Sequence, residues 1–452
     1  MQNSTKGLPK KLVFFANLFL TISALIIFFL FTFAIFKFLN SNNINKDFYL
    51  NYATFFFIFF IILVYGIKKF ENSFKINLSL ILFVVGITLY SLEIYLQFFK
   101  FDKREKIAKK MGLKFDKRST REVLTDLKNN GYNAYPNLKP TFFKETDGFN
   151  HQNKKIFPLG SISNSFTVLG NESGYYPVIE TDEHGFNNPK GLYKNNKLDI
   201  ILLGDSFTEG KAVRYDENIS AYLRKKKYNV LNLGKSGNGP LIELATLKEY
   251  ASILKPKVLL WLYFAENDLG DLENELKSTT LKNYLDKRNF SQNLINRQKE
   301  IDKILINYSD NKLKIVTDNK LKSMRRTITD VLKLYHLRLM FKVRASNEPT
   351  PVLSRILQQA NKKTSSWGGK MYFVYLPARG QVHPTRDFVL KTVKDLNIPI
   401  IDLKEEIFDI HPDPLSLFPL RLYAHYNAKG YKLIAEVISK KLKEDGFNTP
   451  NQ

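Results

Sequence analysis

The amino-acid sequence predicts an α/β protein, built as a three-layer sandwich around a five-stranded parallel sheet and preceded by three transmembrane helices. Two patterns lead to this prediction. Three long apolar runs occupy most of the first 99 of the 452 residues. From residue 197 onward, short apolar runs of strand length alternate with helical segments, which is typical of parallel strands joined by crossover helices.

Composition excludes several classes of protein. The chain is 44% hydrophobic and 14% aromatic, so it has enough apolar side chains to bury a core, and disorder throughout is excluded. It has no cysteine, which excludes a disulfide framework, a zinc-thiolate site, an iron–sulfur cluster and a thiol nucleophile. Because no acidic and histidine residues stand at metal-ligand spacing and no glycine-rich phosphate loop is present, no cofactor is expected.

The three apolar runs are Leu12–Leu39, Phe48–Ile67 and Ile76–Phe99. Each is about twenty residues or longer, which is enough for a helix to cross the hydrocarbon core of a membrane. Buried helices of a soluble protein are the alternative. A cleaved signal peptide could account for the first run only, and that run is long and lacks a clear cleavage site. Glu93 lies near the end of the third run, where it can reach the membrane surface, and it is given no role.

The lysines beside these runs give conflicting evidence about orientation. Lys6, Lys10 and Lys11 precede the first run, and three more lysines separate the second from the third. Positive charge favours the cytoplasmic side, so this pattern places everything after the third run outside the cytoplasmic membrane. The basic cluster from Lys100 to Lys110 favours the opposite side. A long following domain can still be exported, and we expect export.

The rest of the chain is strongly basic. Residues 100–452 carry 60 Lys and Arg against 40 Asp and Glu. A polyanionic partner such as nucleic acid would explain this excess. Compositional bias is the simpler explanation, because lysine and asparagine are abundant along the whole chain and no nucleic-acid motif accompanies the charge. No nucleic-acid partner is therefore expected.

The soluble part divides at about residue 197. Residues 100–196 are predicted to be a basic linker and an irregular segment with short strands, and one helix is predicted near Arg121–Asn129. Residues 197–446 are predicted to form a flavodoxin-like sandwich. Its five strand-like runs are Ile200–Leu203, Asn229–Leu233, Val258–Phe264, Met371–Leu376 and Pro399–Leu403. Helical segments are predicted at Asn218–Lys225, Leu241–Leu254, Phe388–Leu396 and Gly430–Lys443.

One connection is unusually long. About a hundred residues separate the third run from the fourth, and apolar residues recur there at helical spacing in two stretches, from Leu294 to Tyr308 and from Leu321 to Leu339. Residues 270–368 are therefore predicted to be a helical insertion. It either packs on the domain or forms a lid over the carboxyl ends of the strands, where open α/β sheets place their sites.

Polar residues follow the predicted strands in order. Ser206 stands in the turn after the first strand-like run, Ile200–Leu203. There its hydroxyl is held at the sheet edge and its N–H can face a developing oxyanion. Gly237 follows the second run and offers a second N–H, and Asn267 follows the third and offers an amide donor. His425 precedes the last helix and can activate a serine. Of the six histidines, His425 alone is followed by asparagine and glycine before a helix start.

These four blocks resemble those of the SGNH, or GDSL-type, hydrolase family, which is named after such Ser, Gly, Asn and His residues. The resemblance covers about residues 199–442, apart from the insertion. It implies a serine hydrolase in which Ser206 is the nucleophile and His425 the base. It further implies that Ser206, Gly237 and Asn267 form the oxyanion hole.

Two positions depart from the family pattern. The family places an aspartate three residues before the histidine, but Leu422 stands there. Another acid then serves, with Asp413 preferred over Asp402 and Asp409, or else a backbone carbonyl serves, the site is a Ser–His dyad, or it is inactive. The segment from Thr181 to Asn188 also resembles one that precedes Gly-Asp-Ser in membrane-linked members of the family. An arginine is usual in that segment, and Asn187 stands in its place. Asp205, adjacent to the serine, is expected to hydrogen-bond the turn.

The resemblance implies a membrane-anchored esterase or acyltransferase. Its substrates would be O-acyl esters, above all O-acetyl esters, of cell-envelope carbohydrate. Its partners would be the lipid bilayer and that acylated carbohydrate. Lipid esters and thioesters remain alternatives. A degenerate domain that serves as a binding or scaffolding module in polysaccharide export is the alternative of a different class, because the usual aspartate is missing.

Overall fold

The computed structural model describes residues 9–40, 43–98, 103–151, 154–194, 198–317, 327–340, 351–378 and 383–447. The chain forms two compact units. The span unit comprises Met1–Phe101 and Leu321–Val343, and the sheet unit comprises Asp102–Lys320 and Arg344–Gln452. Lys100 of the basic cluster and Leu321 of the second helical pattern lie outside the described residues.

The span unit contains three long apolar helices. They are Lys10–Asn40, Asn43–Lys69 and Asn72–Phe98. All three are long and apolar enough to cross a membrane, as the sequence predicts. The first packs against the second and the third. Most of their large apolar side chains point outward, which suits a helix surrounded by lipid and would be costly in water.

The segment upstream of residue 197 contains helices and the short strands that the sequence predicts. Its helices are Lys103–Lys110 and Thr120–Asn129, and its strands are β1 (Ala134–Pro136), β2 (Phe149–His151), β3 (Lys154–Ile156), β4 (Phe166–Val168) and β5 (Val178–Glu180). A capping box formed by Ser119 and Glu122 starts the second helix. This segment packs within the sheet unit and shares its core, so it is not a separate linker.

The sheet unit is built on a five-stranded parallel sheet, as predicted. Its strands are β6 (Ile200–Leu203), β7 (Val230–Asn232), β8 (Val258–Phe264), β9 (Lys370–Leu376) and β10 (Ile400–Asp402). Their order across the sheet is β10-β9-β8-β6-β7, with every neighbouring pair parallel. The strand order reverses beside β6, and open α/β sheets place their sites at such a switch point.

Successive side chains of each strand point to opposite faces of the sheet, and both faces are buried. Ile201 and Leu203 of β6 belong to one core, and Ile200 and Leu202 belong to the other. The helices Ile219–Lys225 and Ala428–Glu444 cover the second face. The first face is covered by Pro240–Thr246, which continues through a π-helical turn to Ser252–Leu254, by Pro351–Ser365 and by Arg386–Asp395.

The predicted insertion is helical, but its parts differ in role. Its helices are Asp268–Glu275, Thr279–Asp286, Gln298–Thr317, residues 327–332, Tyr335–Met340 and Pro351–Ser365. The last packs on β9 and is the crossover helix between β8 and β9. Leu281, Ile301 and Leu305 lie in the core of the first face, so the early helices serve packing. Residues 321–343 belong to the span unit.

Candidate active site

The turn after β6 holds the candidate nucleophile. Gly204 and Asp205 follow the strand, and Ser206 begins a four-residue helix. Only glycine fits at 204, because a Cβ there would lie 2.1 Å from the Thr208 Oγ1. Asp205 Oδ1 accepts a hydrogen bond of 2.9 Å from the Phe207 N–H, so this side chain holds the turn as the sequence analysis expects.

The structure brings Ser206 and His425 together. The Ser206 Oγ lies 2.7 Å from the His425 Nε2, a distance at which an imidazole can take the hydroxyl proton. The imidazole ring packs on the Phe207 ring, with 4.6 Å between centroids. His425 stands just before the helix Ala428–Glu444, whose first turn is capped by Asn427 through a 3.0 Å bond from the Gly430 N–H.

The acid that contacts His425 is Glu172. Its carboxylate oxygens lie 2.9 and 3.0 Å from the His425 Nδ1, and one of them also accepts the His425 backbone N–H at 3.0 Å. Because a carboxylate can only accept, Nδ1 carries the proton and Nε2 is left free to accept the serine proton. Ser206, His425 and Glu172 therefore have the arrangement of a catalytic triad.

Electrostatics keep this carboxylate ionised. The Glu172 side chain is only 10% exposed, and Lys211 lies 3.6 Å away. Burial acts to raise the pKa of Glu172, but the hydrogen bond and charge of His425, together with Lys211, outweigh it and lower that pKa to about 2. A charged acid beside Nδ1 stabilises the imidazolium that forms when the base takes a proton.

The expected acid, Asp413, does not occupy this position. Its carboxylate forms a bidentate ion pair with Arg421, at 2.7 and 2.8 Å, on the protein surface. The other two candidates are also engaged elsewhere, Asp402 with Arg386 and Asp409 with Lys404. The choice of Asp413 as the third member is therefore corrected to Glu172.

Sequence reasoning missed Glu172 because it precedes His425 by 253 residues. It lies in the loop between β4 and β5, in a segment interpreted as irregular. Local bonds shape this loop: Asn171 Oδ1 accepts the Gly174 N–H at 2.9 Å, and the Ser173 hydroxyl donates to the Ala212 carbonyl at 2.6 Å. The only sequence signal is an acidic residue in a loop bounded by Gly170 and Gly174.

The candidate oxyanion donors lie at the expected strand ends. Among the described residues, no hydrogen bond from the backbone N–H of Ser206 or Gly237 to another protein group is found. Gly237 has φ of 77°, and a Cβ there would lie 3.1 Å from the Thr141 Oγ1, so glycine suits the position. The Asn267 amide nitrogen is held by Asp271 at 2.8 Å and lies 3.4 Å from Asp205.

A buried ion pair supports the site from behind. Lys235 Nζ lies 2.6 Å from Glu209 Oε1, and the two side chains are 1% and 0% exposed. Glu209 also accepts the Ser236 N–H at 3.0 Å, and Lys235 donates to the Asn137 side chain at 2.9 Å. Although burial opposes it, Lys235 lowers the pKa of Glu209 to about 2. This pair ties the loop before Gly237 to the helix that begins at Ser206.

The segment from Thr181 to Asn188 packs beside the same turns. Asp182 is buried and accepts hydrogen bonds from the His184 and Phe186 N–H groups and from Asn188, and burial raises its pKa to about 6. The Asn187 amide, which stands where the family has arginine, donates to the Glu209 carbonyl at 2.8 Å. Asn187 thus supports the nucleophile helix and offers no cation to a ligand.

A cavity of about 270 Å³ opens at the catalytic residues. Besides Ser206, Asn267 and His425, its walls include Phe207, Phe264, Pro377, Phe418 and Tyr423. No described residue of 270–368 lines it. Among the residues that the structure describes, no three His, Asp or Glu side chains are placed to hold a metal ion.

Comparison with known proteins finds similarity to solved esterases and lipases. A two-domain esterase active on acetylated mannans, co-crystallised with mannopentaose, is 13% identical, with a TM-score of 0.31, and the match covers 56% of this chain and 50% of that one. A lipase/acylhydrolase from Enterococcus faecalis is 15% identical, with a TM-score of 0.30, and the match covers 55% and 97%. A putative lipolytic protein of the G-D-S-L family from Desulfitobacterium hafniense is 13% identical, with a TM-score of 0.25 and coverages of 54% and 99%.

The chain spans about half the length of the mannan esterase. No family model matches the sequence, and no curated protein does. The function proposed below therefore rests on the side-chain contacts of this chain.

Proposed function

We propose that this protein is a membrane-anchored serine esterase or O-acyltransferase of the SGNH type, acting on O-acyl esters of cell-envelope carbohydrate. The contact chain from Ser206 through His425 to Glu172 is the observation that supports the proposal most strongly. A half-buried serine hydroxyl that contacts a histidine, with a charged acid on the far side of the imidazole, is an arrangement that activates oxygen nucleophiles.

The proposed reaction begins when the Ser206 Oγ attacks the acyl carbonyl carbon. His425 Nε2 takes the serine proton, while Glu172 holds the imidazole and stabilises its positive charge. The N–H groups of Ser206 and Gly237, with the Asn267 amide, would hold the oxyanion. The C–O bond to the carbohydrate then breaks, and His425 returns the proton to the departing hydroxyl, which leaves an acyl group on Ser206.

The second half releases the acyl group. Water attacks the acyl-enzyme in an esterase, and a sugar hydroxyl attacks it in an acyltransferase. In either case His425 takes a proton from the attacking water or hydroxyl and returns it to the Ser206 Oγ. The two reactions need the same catalytic residues and differ only in the acceptor.

The small cavity supports a short acyl group such as acetyl. At about 270 Å³ it is below the usual range of roughly 300–1,000 Å³ for drug-sized ligands, and its apolar walls suit a methyl group. The carbohydrate part of the substrate follows from the family resemblance and from a membrane-anchored sheet unit that we place outside the cytoplasmic membrane.

The main argument for a degenerate scaffolding domain no longer holds. It was based on the missing aspartate at the position of Leu422, and Glu172 now supplies an acid to His425.

Labelling with a fluorophosphonate probe tests the proposal, because only an activated serine reacts. We expect the full chain to be labelled at Ser206 and the Ser206→Ala variant to remain unlabelled while keeping its fold. Labelling that persists in Ser206→Ala, or a folded full chain that does not react, would contradict the proposal. Incubation with an O-acetylated oligosaccharide then separates the two activities, since an esterase releases acetate and a transferase moves it to an acceptor sugar.

A fusion experiment tests the proposed side of the membrane. A reporter that is active only after export, placed after Gln452, should be active. Activity of a cytoplasm-only reporter at the same position would place the substrate at the inner leaflet or in the cytoplasm.

A further inference from the structure

A buried carboxylate in the third apolar helix is bound by a segment far away in sequence. Glu93 is fully buried. It accepts 2.9 Å hydrogen bonds from the backbone N–H groups of His336 and Leu337, and its Oε1 lies 2.9 Å from the His336 Nδ1. The sequence analysis gave Glu93 no role, yet it is satisfied by the helical insertion.

A second contact lies one turn away on the same helix. The Tyr90 hydroxyl donates to the Leu332 carbonyl at 3.3 Å, and the helix Tyr335–Met340 packs against the third apolar helix. Tyr90 and Glu93 are three residues apart and share one helix face. This face therefore holds both parts of the segment, residues 327–332 and Tyr335–Met340.

The outer side of this segment is apolar. Ile328, Leu332 and Tyr335 are 48%, 64% and 44% exposed. The third helix next to them also exposes apolar side chains, including Ile87 and Ile94 at 51% and 45%. Clusters of large exposed apolar side chains mark a contact surface, and here they lie in the unit that carries the apolar helices.

The segment is flanked by basic residues and is too short to cross a bilayer. Between residues 321 and 343 the sequence has six Lys and Arg and one Asp. Lys333 and Arg338 are exposed. Each helical part has six residues, or about 9 Å at 1.5 Å per residue, against a hydrocarbon thickness of roughly 30 Å. Short helices with an apolar side and cations beside them suit the lipid headgroup region.

We infer that residues 327–340 form a fourth membrane contact, a pair of short helices that lies in the headgroup region of the bilayer and is held on the third span by Glu93. The inference rests on the membrane anchoring proposed above and is independent of the hydrolase chemistry. Its occupant is an anionic lipid surface, because apolar and cationic side chains are exposed together on this segment.

Fluorescence quenching tests the inference on the full chain, which has no cysteine and accepts single labels. Leu332→Cys is labelled with a polarity-sensitive fluorophore, and two matched controls carry the same label, Ile87→Cys in the third span and Tyr215→Cys on the sheet unit, where Tyr215 is 63% exposed. The proteins are reconstituted into vesicles of phosphatidylcholine and phosphatidylglycerol that contain nitroxide-labelled lipid.

We expect a headgroup nitroxide to quench the label at position 332 well above the level at position 215, and a mid-chain nitroxide to quench the label at position 87. If 332 is no more quenched than 215 while 87 is quenched, the fourth contact is wrong although the spans are right. A label at 332 that is shielded from water but not quenched by lipid would reveal a protein partner or second copy, and would overturn the inference. No quenching at 87 would overturn both the span assignment and the inference.

The role of Glu93 in holding residues 327–340 is tested in the Leu332→Cys variant. Glu93→Ala removes both acceptor oxygens and should reduce quenching at 332 to the level at 215, with quenching at 87 unchanged in the matched Ile87→Cys protein. His336→Ala leaves the two backbone donors in place and should lose less. Unchanged quenching in Glu93→Ala would show that Glu93 does not hold the segment.

Discussion

Two regions of the sheet unit build the candidate site in different ways. The strand-end turns carry Ser206, Gly237 and Asn267, and each residue is positioned by the strand that precedes it. The upstream segment carries Glu172 in a loop and Thr141 in the short 3-10 helix Pro140–Phe143, and the positions of both depend on contacts with the rest of the unit. The candidate catalytic groups of the first region are positioned by the topology of the sheet, whereas Glu172 in the second region is positioned by tertiary packing.

The same contrast separates the two acids. Asp413 is near His425 in sequence but is exposed and paired with Arg421, and Glu172 is remote in sequence but is buried against the imidazole. Closeness to His425 in the sequence therefore does not identify the acid that contacts the imidazole. Burial and a matched hydrogen bond decide which carboxylate serves the base, because charge–dipole interactions strengthen as water is excluded.

The largest expected effect comes from breaking the upstream contribution. Glu172→Gln keeps the shape but places an amide against the Nδ1 of His425, so the wrong tautomer is favoured. We expect turnover of a short acyl ester to fall by about 10⁴-fold, as it does when the acid of a serine triad becomes an amide. Steady-state kinetics measure this loss.

Asp413→Asn is the matched control for this prediction. It removes the acid that sequence proximity favours, and its turnover should remain close to that of the unaltered protein. Equal losses in both variants would mean that Asp413 reaches the base in the working enzyme, and the contrast between the two acids would collapse.

The next effect concerns the buried ion pair that joins two turns of the strand-end region. Lys235→Met leaves the fully buried Glu209 without its cation, and removal of one partner from a buried ion pair costs about 3–5 kcal/mol. Urea unfolding of the full chain in detergent should show a loss of this size. Lys190→Met, which removes a half-exposed partner of Glu180, should change the unfolding free energy by at most about 1 kcal/mol.

A smaller effect sharpens the role of the strand-end region. Asn267→Ala should lower turnover by about 10²–10³-fold if its amide holds the oxyanion. Asp271→Ala removes the partner that holds the Asn267 amide at 2.8 Å but leaves the donor in place, so it should lose much less. A fall in melting temperature with unchanged turnover in Asn267→Ala would instead assign this residue to the helix start.

Much of the fold could be predicted from local pattern. The β8 run Val258–Phe264 matches its predicted bounds because seven apolar residues in a row fit a strand buried on both faces. Ser206, Gly237, Asn267 and His425 could be singled out as candidates because they stand at strand ends or before a helix. Glu172 and residues 327–340 were not, since their roles depend on contacts across more than 200 residues, for which the sequence offers no periodicity or spacing.

The smallest expected effect is a pH dependence of stability that arises in the upstream segment. The pKa of Glu172 is lowered from 4.5 to about 2 in the folded chain. Its ionised form therefore adds stability that is complete above pH 4.5 and is lost as the pH falls toward 2, amounting to about 3 kcal/mol. Asp182, whose pKa burial raises to about 6, acts in the opposite direction, because its stabilising protonated form is lost as the pH rises from 3.8 toward 6. The contribution of Glu172 is isolated by the difference in unfolding free energy between the full chain and Glu172→Gln. We expect that difference to shrink steadily between pH 4.5 and pH 2. The corresponding difference for Asp182→Asn should change between pH 3.8 and pH 6. A Glu172→Gln difference that stays constant through the acid range would mean that the carboxylate does not hold His425 in the folded state.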